Sequence, residues 1–202
     1  MPILKKSEGS FTLIEPGTHP ARCYGMVSLG TQPANNPKFK SSFKVVLLFE
    51  FPENRIEVDG VSKPMMTSHF LNAYLGSEVK PSKTNLFLSA WRGRAFTDVE
   101  LGGFDLSKVV GAPCLLNIIH TTRNGKTREE IASIMPLPKT MKAAPPFNRL
   151  VVYEIEQLRD DTFLALPEWM RLMIEGCEEW TAPKPAQSAV SPHQPESDDV
   201  PF

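Results

Sequence analysis

Cysteine is scarce in this chain of 202 residues: Cys23, Cys114 and Cys177 stand far apart, and none belongs to a CxxC pair. An odd number of scattered cysteines argues against a disulfide framework and points to free thiols in a reducing compartment. Long apolar runs are missing too. Nothing approaches the roughly 18 uninterrupted apolar residues of a membrane span. The opening Met-Pro-Ile-Leu-Lys-Lys-Ser-Glu lacks the apolar core of a secretory signal. The expected location is the cytoplasm. His19, His69, His120 and His193 form no HxxxH, HxH or His–Cys pairing, so no zinc site is expected. A P-loop, a dinucleotide-binding GxGxxG and a GxSxG elbow are also absent. The chain therefore offers no cofactor, metal or catalytic residue, and it is not expected to be an enzyme. One enzymatic alternative stays open, a nuclease whose dispersed carboxylates gather around two metal ions.

What the sequence does contain is a globular composition, 41% hydrophobic and 22% charged. The net charge of −1 conceals an uneven distribution. Residues 1–156 carry 19 Lys and Arg against 14 Asp and Glu, whereas residues 157–202 carry 3 against 9. A mildly basic body with an acidic end suits an anionic partner for the body.

Along the chain, Ala21 to Gly30 alternates as a half-buried strand. Ala21, Cys23, Val27 and Leu29 fall on one face and Arg22, Tyr24, Met26 and Ser28 on the other, with Gly25 a bulge or bend. Phe43-Lys-Val-Val-Leu-Leu-Phe-Glu-Phe is the strongest strand, closed by Pro52. A charged hairpin-like connection with Asp59-Gly60 leads to a third strand, Met65 to Asn72. Ser82 is an N-cap candidate for a short helix through Arg92, and Thr97 with Glu100 forms a capping-box pattern. Pro113 to His120 is a buried fourth strand, and Asn124-Gly125 is a type I′ hairpin signal leading to a fifth. Leu150 to Ile155 is a short further strand. Pro167 opens a helix with Trp169, Leu172, Met173 and Cys177 on one face, which either packs on the body or makes a dimer contact. Five principal strands with a helix between the third and fourth predict a mainly β, five-stranded OB-fold barrel. The expected organisation is an OB domain with an N-terminal arm over residues 1–156, a C-terminal helix over 157–180, and a disordered linker with an acidic tip over 181–202.

Single-stranded nucleic acid is held by cations that track its backbone and by rings on which bases stack. Five groups supply that chemistry: Arg22 with Tyr24 on the first strand; Lys38-Phe39-Lys40 in the first long loop; Lys44 beyond it; Trp91-Arg92-Gly93-Arg94 after the helix; and Arg123, Lys126 and Arg128 at the Asn-Gly hairpin. An OB barrel brings such strands and loops to one groove.

Residues 181–197 are rich in Pro, Ser, Ala and Gln and carry no helix or strand pattern, so their composition favours disorder. They end in Asp198-Asp199-Val200-Pro201-Phe202, a ring with a rigid proline and clustered carboxylates, suited to a partner pocket rimmed by cations. This pentapeptide resembles the acidic tip of bacterial single-stranded-DNA-binding proteins, which in that family recruits replication and repair enzymes. In the body, the segments Pro20-Ala-Arg-Cys, Leu29-Gly-Thr-Gln, Trp91-Arg-Gly-Arg-Ala-Phe-Thr, Gly103-Phe-Asp-Leu, Gly111-Ala-Pro-Cys-Leu-Leu and Ile131-Ala-Ser-Ile-Met-Pro-Leu-Pro-Lys resemble a family of small phage and prophage proteins from replication–recombination gene modules, which look like OB-fold single-stranded-DNA-binding proteins. These segments span roughly residues 17–155. The resemblance implies sequence-independent binding of single-stranded DNA in a bacterial host cell, with replication or recombination proteins recruited through the tip. The rival reading is a protein-interaction adaptor, a helicase loader or recombination mediator that touches DNA only incidentally.

Overall fold

The computed structural model describes residues 12–34, 38, 40–157 and 159–180. Phe39 and the tip Asp198 to Phe202 lie outside the described residues. Among the described residues six strands form one sheet, in the order β3-β2-β1-β4-β5, with β6 against β1. The strands are β1 (Gly17–Gln32), β2 (Ser42–Val58), β3 (Val61–Asn72), β4 (Pro113–Arg123), β5 (Lys126–Pro136) and β6 (Val151–Tyr153). The five-strand path is antiparallel and β6 runs parallel to β1. Helices α1 (Lys83–Arg92) and α2 (Asp98–Gly102) stand between β3 and β4, and α3 (Asp161–Ala165) and α4 (Glu168–Glu175) follow β6. No helix among them is long and apolar enough to cross a membrane.

Turn chemistry sets the two long hairpins. Asp59 and Gly60 have φ of 53° and 73°, and Asn124 and Gly125 have 52° and 71°, the doubly positive φ that a type I′ turn needs. Pro52 does not close the second strand as expected. β2 continues to Val58, and a register shift between Phe51 and Arg55 absorbs the proline, because a bulge tolerates a residue with no N–H. Both expected caps are present. Ser82 accepts the Asn85 N–H at 3.1 Å, and Thr97 and Glu100 complete a reciprocal box.

β1 is shared. Its first half pairs with β4, from Gly17 to Arg22, and its second half pairs with β2 and β6. A register shift between Cys23 and Gly25 makes Tyr24 an extra residue and reverses the alternation expected from the sequence. Ala21, Cys23 and Met26 enter one core with Leu47, Phe49, Phe51, Leu116 and Trp91. Val27 and Leu29 enter a second, on the opposite face, with Val46 and Leu48. Tyr153, Phe163, Met170 and Ile174 cover that second core. Burial on both faces explains why the centre of β2 is almost uninterruptedly apolar.

Helix α4 keeps part of its expected face, with Cys177 in the second core and Met173 packed against it, but is rotated in part. Met170, Ile174 and Cys177 are buried, whereas Trp169 and Leu172 are 41% and 61% exposed. Two apolar stripes share this short helix, and the 170/174/177 stripe wins because it meets the second core.

The turn after α4 is fastened to the end of β1. Glu178 donates its N–H to the Thr31 carbonyl at 3.2 Å, and the Glu179 carboxylate accepts the Thr31 N–H at 2.7 Å as well as its hydroxyl. Gln32 donates to the Leu29 and Met173 carbonyls. Gly30, at φ 71°, lies so close to Cys177 that a side chain there would collide with it. The three cysteines are free and buried, and burial pushes each thiol up, Cys23 to about 12.

Candidate nucleic-acid interface

Side chains on a strand alternate between faces. Met65, Thr67, His69 and Leu71 of β3 point the same way as Phe51, Phe49, Leu47 and Val45, their partners on β2. Met66, Ser68, Phe70 and Asn72 therefore point outward. In sequence the two faces are equally mixed, and the outward one carries Met66 at 52% and Phe70 at 47% exposure.

Neighbouring elements bring further rings to this stripe. Trp169 of α4 lies 5.9 Å from Phe70, centroid to centroid, at 48°. Phe147, 48% exposed, lies under Arg55 with the guanidinium 4.9 Å from its centroid. The Phe147 segment is held by Glu50, whose fully buried carboxylate accepts the Phe147 N–H at 3.0 Å, the Asn148 N–H at 2.9 Å and the Asn148 side-chain amide at 2.7 Å. That amide also reaches the Met66 sulfur at 3.6 Å. From Met66 to Phe70 is about 13 Å along the strand at ~3.3 Å per residue. Two ring stations, Phe70–Trp169 and Phe147–Arg55, thus stand along one strand face with a thioether at the second.

Cations flank the row. Lys44 pairs in register with Asn72 on the same face. The β1–β2 loop, with Lys38 and Lys40 exposed, returns to β2 at Ser42, whose hydroxyl meets the Asn72 side chain at 3.4 Å. Arg55 occupies the other end and is steadied by donation to the Ser62 carbonyl at 2.8 Å.

The other expected contacts divide by environment. Trp91 is a core residue, 6% exposed, with its ring 5.6 Å from Phe49 and its N–H donated to the Pro113 carbonyl at 3.1 Å. A ring so enclosed has no face for a base, which corrects its expected role. Arg92 is enclosed by Phe96 and Phe104, at 4.3 Å and 5.1 Å, and paired with Glu100. Arg94 is exposed but makes two hydrogen bonds to the same carboxylate, at 2.8 Å and 2.9 Å. Arg94, the Thr97 N–H and Arg92 hold the Glu100 carboxyl far below the usual carboxylate range. Arg22 donates to the Gly111 and Ala144 carbonyls at 2.6 Å and 2.7 Å, a clamp between β1 and two crossing segments. Tyr24 packs on the second core, and burial, with Glu50 nearby, pushes its hydroxyl up to about 12. Arg123, Lys126 and Arg128 remain exposed together at the β4–β5 hairpin.

Sequence reasoning missed Phe70, Phe147, Arg55 and Met66 as surface residues, and left Trp169 between packing on the body and a dimer contact. No signal marked Phe70, since both faces of the alternating run Met65-Met-Thr-Ser-His-Phe-Leu-Asn mix apolar and polar residues. No protein-family model matches the chain, and no curated protein matches it.

Proposed function

We propose that this protein binds single-stranded DNA without sequence preference along the outward face of β3, as a non-catalytic component of phage-type replication or recombination. The observation that carries the reading is the exposed row Phe70–Trp169 and Phe147–Arg55 on one strand face, with Lys44 at one end and the lysines of the β1–β2 loop beside it. Rings at intervals accept unstacked bases of any identity, and the cations follow the phosphates.

The barrel we infer is of the OB type. Support comes from the β3-β2-β1-β4-β5 order, a β1 shared between β2 and β4, and α1 between β3 and β4. In that fold the face of strands two and three is the usual ligand face, and it is the face that carries the rings here. The acidic tip, Asp198 to Phe202, then recruits replication or recombination proteins from the end of a stretch rich in Pro, Ser, Ala and Gln, a composition unsuited to a core.

Fluorescence anisotropy of a labelled oligothymidylate, at two salt concentrations and with duplex competitor, tests the reading. Expected is binding that weakens steeply with salt and that duplex does not displace. Absence of binding at low salt refutes it and leaves the adaptor reading.

A further inference from the structure

The sheet path ends at β3 and β5, and among the described residues neither has a second neighbour on its outer edge. Between their hairpins opens a cleft of about 1020 Å³. Leu13, Ile56, Val58 and Met65 give it an aliphatic and thioether lining, and no aromatic ring lines it. Lys63, Lys126 and Arg128 stand around it, and among the described residues none of the three makes an ion pair. The lining carboxylate, Glu129, accepts the Ile14 N–H at 3.0 Å.

These features select one kind of occupant. Met66 lines both this cleft and the outward face of β3, but no ring lines the cleft, so bases have nothing to stack on inside it. It offers strand edges instead. Pro64 removes a donor from the β3 side, which blunts that edge, whereas Lys126 to Met135 of β5 contains no proline. The register of β4 and β5 also fixes the faces. Thr127 pairs with Thr122 and Glu129 with His120, on the side where Ile14 sits. Lys126 and Arg128 therefore point to the opposite side, with Arg123.

We infer that the cleft binds an extended segment of a partner protein by strand addition to the β5 edge between Lys126 and Ile131, a segment with alternating apolar and acidic side chains. Its main chain pairs with the β5 edge, which has no outer partner among the described residues. Apolar side chains turn towards Ile56, Val58 and Leu13, and the intervening carboxylates meet Lys126 and Arg128. The same two cations repel a basic strand, which makes the edge selective.

The test uses the full chain and a dye-labelled nonapeptide of alternating valine and glutamate. Controls are the valine–lysine counterpart and a version N-methylated at alternate amides. Expected is saturable binding of the glutamate peptide, at least tenfold tighter than either control, with slowed amide exchange over residues 126–131. The paired substitution Lys126→Glu and Arg128→Glu is expected to weaken binding at least tenfold. Because both side chains are exposed, the hydrogen-exchange result on the unaltered protein decides the matter even if the variant folds poorly. Equal binding of the lysine peptide, or protection elsewhere, overturns the inference. Displacement by oligothymidylate would make the cleft a nucleic-acid site, and displacement by free Asp-Asp-Val-Pro-Phe would make its occupant the chain's own tip. Either result overturns the assignment to a partner segment.

Discussion

Replacing Phe70 with leucine separates a ring that stacks on DNA from one that only holds the fold. Phe70 is 47% exposed and touches Trp169, itself 41% exposed, at 5.9 Å. Full burial of a phenylalanine contributes about 1.5–3 kcal/mol. A side chain that is half buried, and is replaced by another apolar one, should therefore cost the fold well under about 1 kcal/mol. Losing a base stack costs about 1–3 kcal/mol, which is roughly fivefold to 150-fold in Kd at about 1.4 kcal/mol per decade. Phe70→Leu should thus unfold in urea almost like the parent protein while binding oligothymidylate markedly more weakly. Its salt dependence should stay unchanged, since a ring neutralises no phosphate, whereas Lys44→Ala should flatten the log–log slope by about 0.7. Trp91→Ala provides the opposite control. It empties a 6%-exposed site and removes the hydrogen bond to Pro113, at about 3–5 kcal/mol of stability, with the affinity of the folded fraction preserved. The reasoning fails if Phe70→Leu binds as tightly as the parent, or if Trp91→Ala loses affinity without losing stability.

Three other outcomes follow from the same structure. Gly30→Ala combines a positive φ with a collision against Cys177, and backbone strain of this kind costs about 1–3 kcal/mol; a urea midpoint equal to the parent's would show that the turn after α4 moves aside freely. The Glu100 carboxyl is held far below its ordinary value by Arg94 first. Its contribution to stability is therefore complete above the unfolded carboxylate pKa, about 4.3, and is lost as pH falls towards the folded value. Glu100→Gln should lower stability at neutral pH and lose less than the parent between pH 5 and pH 2, as read by thermal unfolding across that range. Removing residues 181–202 takes away three carboxylates, Glu196, Asp198 and Asp199; their loss should tighten oligonucleotide binding at low salt, and an unchanged Kd would exclude competition by the tail.

The sequence determined most of the secondary structure, because the signals are local. The β-branched and aromatic run of β2, the Asn-Gly hairpin, and the caps at Ser82 and Thr97 each depend on residues only a few positions apart. The uneven charge and the composition of the final segment were legible for the same reason. Orientation was not. One extra residue at Tyr24 exchanged the faces of Val27 and Leu29, and two competing stripes on α4 were resolved only by the sheet beneath it. The candidate interface depended on this. Trp91 and Arg92, adjacent to a flexible glycine and further cations, had the composition of a binding loop, yet Phe49, Phe96, Phe104 and Glu100 enclose them from distant parts of the chain. Phe70, Phe147 and Trp169 carry no local mark of joint action, since 77 positions separate the first two. They become neighbours of one strand face because Glu50 fixes the Phe147 segment and the second core fixes α4. Which rings face solvent is a property of packing, and packing is settled only when the whole chain is in place.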